Sequence, residues 1–101
     1  MLDDRYLREK LRDAARAVAN SDEPIKSRLR TAFVYGLSSL DSQDFPDDEG
    51  RHQFEEIYFA LTRTDEAISG AGSMSTTVWL MSDDEAKHVA SRIEALAARY
   101  P

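Results

Sequence analysis

Apolar residues recur every three or four positions over most of this chain, the spacing that gathers side chains on one face of an α-helix. Leu7, Leu11, Ala14, Ala15 and Val18 form the first such stripe and predict a helix over about 2–19. Asn20-Ser21-Asp22-Glu23-Pro24 interrupts it with residues that cap helix starts and a proline that suits a first helical turn, so a second helix is expected over about 22–40. Its stripe is Ile25, Leu29, Ala32, Phe33, Gly36, Leu37 and Leu40, with Val34 and Tyr35 lying off it. A glycine inside a helix costs about 1 kcal/mol against alanine, so Gly36 points to a place where another backbone comes close.

Beyond Phe45-Pro46, the acids Asp47, Asp48 and Glu49 suit the positive end of a helix dipole. They open a third helix expected over about 47–68, with Phe54, Ile57, Tyr58, Leu61 and Ile68 on its stripe, Asp65 intruding, and Phe59 facing elsewhere. The helical pattern then stops. Residues 69–81 hold Gly70, Gly72, the β-branched run Thr76-Thr77-Val78 and Trp79, the single tryptophan. A lone strand there would have no pairing partner, so a Gly-containing joint followed by a short irregular or helical segment is expected. Ser82-Asp83-Asp84-Glu85 matches a capping box, and Ala86, Val89, Ile93, Leu96, Ala97 and Tyr100 carry a last helix over about 83–100. The expectation is one all-α domain spanning residues 1–101, a small bundle of four main helices.

Length and composition agree with this reading. A chain of 101 residues with 42% hydrophobic and 32% charged residues is apolar enough for one core. It contains no cysteine, which removes disulfides, thiolate metal sites and cysteine nucleophiles. No apolar run approaches a membrane span and Met1-Leu2-Asp3-Asp4 opens no secretion signal, so a cytoplasmic protein is expected.

The net charge of −6 opposes general binding to nucleic-acid phosphates, and direct nucleic-acid or membrane binding is not expected. The charge is uneven. Residues 1–40 carry eight Lys/Arg against six Asp/Glu, whereas residues 41–66 carry two against nine. Arg5, Arg8, Arg12 and Arg16 form a basic stripe on the first helix, with Asp4, Glu9 and Asp13 placed for intrahelical pairing. Lys26, Arg28 and Arg30 invite comparison with a helix-turn-helix, but the turn before them lacks the small residues of that motif. Asp44, Asp47, Asp48 and Glu49 form an acidic patch without the order of a calcium loop.

Two Glu-x-x-His pairs, Glu49/His52 and Glu85/His88, place carboxylate and imidazole on one helix face, as in carboxylate-bridged metal bundles. Both lie near helix starts, so antiparallel helices would hold them at opposite ends of a bundle, and neither metal nor cofactor is expected. Gly70-Ala71-Gly72 belongs to no nucleotide-binding context, and no nucleophile motif is present. The leading expectation is therefore a non-enzymatic, acidic protein-binding module, a regulator, inhibitor or adaptor, or a self-associating protein. Its candidate contact residues are Val34, Tyr35, Phe59, Met74, Trp79 and Met81, the apolar material off the main stripes. The alternatives are an acidic mimic of nucleic acid directed at a nucleic-acid-binding protein, and a metal-dependent helical enzyme.

Overall fold

The computed structural model describes residues 5–62 and 73–101. They form helices α1 (Arg5–Val18), α2 (Ile25–Tyr35), α3 (Asp48–Thr62), α4 (Ser73–Leu80) and α5 (Asp83–Ala98), with 3-10 turns at Leu37–Ser39 and Ser42–Asp44 between α2 and α3. The fold is all-α, with no strand among the described residues. Asp65, Ile68, Gly70 and Gly72, which figured in the expected third helix and joint, lie outside the described residues.

The predicted stripes become the core. Leu7, Leu11, Ala14 and Val18 of α1 meet Leu29 and Ala32 of α2, while Phe54, Ile57 and Leu61 of α3 and Ala86, Val89, Ala90, Ile93 and Leu96 of α5 complete it. Both α1 and α2 pack on α5, and α3 packs on α4 and α5. Tyr58, expected in the core, is partly open and instead links the rings of Phe33 and Phe54, at centroid distances of 5.4 and 5.7 Å.

The second helix is shorter at both ends than the expected range of 22–40. It starts only after Pro24, and Asn20 Oδ1 accepts from the Asp22 amide (3.2 Å), closing a local turn rather than capping the helix. The Arg28 guanidinium joins the two helices, donating to the carbonyls of Glu23 (2.8 Å) and Val18 (3.3 Å). α2 ends at Tyr35, where Gly36 donates to the Ala32 carbonyl (3.0 Å) and leaves helical geometry with φ −131° and ψ −75°. The reason for glycine is proximity: a Cβ at Gly36 would lie 2.7 Å from the Lys10 carbonyl oxygen and 2.9 Å from the Ala14 Cβ. Gly36 thus both ends α2 and lets α1 approach. The chain continues as a 3-10 turn, and Leu37 and Leu40 reach the core from outside the α-helix.

The ambiguous segment before α5 resolves as helix. Thr77, Val78 and Met81 turn inward and are buried, while Trp79 and Leu80 face out. Helix α4 stops before Ser82, whose Oγ accepts from the Glu85 amide (3.1 Å) and starts α5, the serine half of the expected capping box.

Candidate protein-binding surface

Buried cores of this size leave single apolar residues exposed as a matter of course, so only large and clustered exposure carries information. Trp79 is 72% exposed and its neighbour Leu80 67%. An indole in the core would be nearly inaccessible, so Trp79 is a surface residue. The local cause is helical phase: Thr77 and Val78 of α4, and Met81 just after it, turn inward, which leaves positions 79 and 80 facing away. Lys26 of α2 fixes this end of α4, donating from Nζ to the Trp79 carbonyl (3.0 Å), an orphan acceptor at a helix terminus.

Val34 and Tyr35 are exposed at the end of α2, at 54% and 67%, and Phe59 is 69% exposed on the outer side of α3. Met81, expected among these contacts, is buried, because it lies three residues after Val78 and shares its inward face. The side chain of Met74 lies outside the described residues. Two features escaped the sequence reading. Leu80 joins Trp79 on the surface, and Tyr58 with Phe59 lines a groove of about 450 Å³ between α3 and the 3-10 segment, together with Leu40, Asp41, Phe54 and Glu55. The off-stripe position of Phe59 hinted at this groove. The second wall, from the 3-10 segment, left no periodic trace.

The acidic patch has a structural explanation at every residue. Asp44 Oδ2 accepts from the Asp41 amide (2.8 Å), Asp48 pairs with Arg51 (2.9 Å), and Glu49 accepts from Gln53 (2.9 Å). Asp47 caps α3 through the Gly50 amide (3.1 Å) and also accepts from the Tyr100 hydroxyl and Arg99. These donors, Tyr100 foremost, then the Gly50 amide and Arg99, hold the Asp47 carboxyl at about 2. Burial and the bond to Asp47 raise the Tyr100 phenol above its ordinary value. A Cβ at Gly50 would lie 1.7 Å from the Tyr100 hydroxyl, so this contact needs glycine there.

The basic candidates are similarly placed. Arg28 latches the α1–α2 turn and Lys26 caps α4, so two of the three cations in the helix-turn-helix comparison are structural. In the stripe, Arg8 is half-buried and Arg5, Arg12 and Arg16 are exposed; Arg8 and Arg12 border a shallow groove with Glu94 and Tyr100.

Helices α3 and α5 run antiparallel, as the pairs Glu56–Arg92 and Asp47–Arg99 require. His52 pairs with Glu56 (2.7 Å), whereas His88 lies beside Ala60, about two helical turns or ~12 Å farther along α3. The two Glu-x-x-His pairs therefore do not converge, and no group of three ligand-type side chains gathers among the described residues. Among those residues, no helix is long and apolar enough to cross a membrane. Comparison with protein-family models, curated proteins and solved structures returns no match for this chain.

Proposed function

We propose that this chain is a protein-binding module, acting as a regulator, inhibitor or adaptor through its exposed aromatic and apolar residues. The observation that carries this reading is the outward-facing Trp79-Leu80 pair, held in place by Lys26 and unnecessary to the core. Tryptophan and tyrosine dominate the energetic centres of protein interfaces because they bury a large rigid area at little entropic cost. Phe59, Val34 and Tyr35 add exposed surface of the same chemistry.

Affinity purification of the tagged chain from its native cell, with partners identified by mass spectrometry, tests the reading when Trp79→Ala, Tyr35→Ala and Phe59→Ala variants are run beside the parent. A specific partner should be lost from at least one variant, since truncating a central interface aromatic costs about 2 kcal/mol or more, roughly 30-fold in affinity. Undiminished capture by all three folded variants refutes this assignment of the surface.

A further inference from the structure

We propose that the groove between α3 and the 3-10 segment receives a cationic amphipathic segment of another protein, which deepens the protein-binding reading and rests on it. Leu40 and Phe54 are buried beneath the groove, Tyr58 and Phe59 stand open along it, and Asp41 and Glu55 lie on its rim. The groove is open to solvent and has a volume of about 450 Å³. Its aromatic wall is braced by tilted ring contacts, Phe45 against Phe54 (centroids 4.9 Å apart), Phe54 against Tyr58 (5.7 Å), and Tyr58 against Phe33 (5.4 Å). A groove held this way is preformed, and an occupant meets little reorganisation cost.

Charge selects the occupant. An apolar floor beneath a carboxylate rim favours apolar side chains flanked by Lys or Arg, as on one side of a basic amphipathic helix. Asp41 is already oriented by accepting from the Gln43 amide (3.2 Å) and the Ser42 hydroxyl (3.4 Å), and Glu55 is exposed. Residues 41–62 carry seven acids against one cation; Asp47, Asp48 and Glu56 are paired with Arg99, Arg51 and Arg92, so the charge that draws a cationic partner to the groove rests on Asp41 and Glu55. A second copy of this chain brings its own net charge of −6 and is repelled by the same field.

The test titrates ¹⁵N-labelled full chain with a synthetic Leu/Lys peptide of about 18 residues patterned at the helical period, beside a peptide of the same composition in scrambled order. Saturable shifts should centre on residues 40–42 and 54–62, and binding should weaken at high salt. Phe59→Ala should weaken it about tenfold and Glu55→Lys several-fold, both at exposed positions that leave the fold intact. Equal affinity for the scrambled peptide, the absence of saturable binding, or indifference to Phe59→Ala overturns the proposal. So do groove resonances that move with protein concentration alone, which would make a second copy the occupant. Shifts confined to Trp79 and Leu80 overturn the groove but leave the protein-binding reading standing, whereas that reading falls only with undiminished partner capture by all three aromatic variants.

Discussion

Replacing Gly36 with alanine adds one methyl group where the end of α2 meets α1, and the smaller entropy of the unfolded chain would by itself make it stabilising. The geometry says otherwise. The new Cβ would stand 2.7 Å from the Lys10 carbonyl oxygen, 2.9 Å from the Ala14 Cβ and 3.0 Å from the Ala32 carbonyl oxygen. Carbon normally approaches oxygen no closer than about 3.3 Å and carbon about 3.5 Å. The first two obstacles belong to α1, and the nearer is backbone, so relief requires α1 and the end of α2 to move apart by roughly half an ångström, weakening dispersion between Leu7, Leu11 and Ala14 and their partners on α2. Overpacking of this kind costs about 1–3 kcal/mol, and removing a glycine from the unfolded chain returns about 0.4–1 kcal/mol. The mid-range net loss is about 1.3 kcal/mol. With an unfolding entropy of about 2.1 cal/mol/K per residue, that lowers the Tm of a 101-residue chain by about 6 °C. Thermal and urea unfolding followed by circular dichroism measure it, with the order glycine, alanine, valine expected at position 36. A Tm that is unchanged or raised in Gly36→Ala refutes the close approach.

Trp79→Ala should change folding stability by no more than about 0.5 kcal/mol, whereas Met81→Ala, two residues away but buried, should cost about 2–5 kcal/mol in the same urea series. Gly50→Ala should displace the Tyr100 phenol from its place over α3 and destabilise the domain, while Gly50→Ala combined with Tyr100→Leu should regain part of the loss, a non-additivity readable in a double-mutant cycle. Because Asp47 titrates at about 2 when folded and at 3.8 unperturbed, the unfolded chain takes up its proton first. Its contribution is therefore complete above that unperturbed value and is lost as pH falls toward the folded one. Asp47→Asn should flatten the acid limb of a stability-against-pH curve between about pH 4 and 2, and an unaltered limb counts against the Tyr100–Gly50–Arg99 arrangement.

The helical stripes of α1, α3 and α5 were legible because long amphipathic helices repeat their pattern over several turns, and the serine cap of α5 was legible because its partner is three residues away. Gly36 marks a site of close approach, as the 2.7 Å that a Cβ there would leave to the Lys10 carbonyl oxygen bears out, but its role in ending α2 was masked because the apolar stripe runs on through Leu37 and Leu40. Helix α4 has only eight residues, too few for a period to separate Met81, which is buried, from Trp79, which is not. Val34, Tyr35 and Phe59 stood off their stripes and are exposed. The groove beside Phe59 was invisible because its walls come from two stretches of chain that only the fold brings together.

The single tryptophan being 72% exposed also decides how this molecule reports on itself by its own fluorescence. An indole already in water emits near its red limit and is open to collisional quenchers, so unfolding alters its spectrum little. Covering it with a partner removes that water, shifts its emission to the blue and shields it from iodide. Intrinsic emission from this chain is therefore a poor gauge of folding and a direct, label-free gauge of whether the Trp79 surface is occupied.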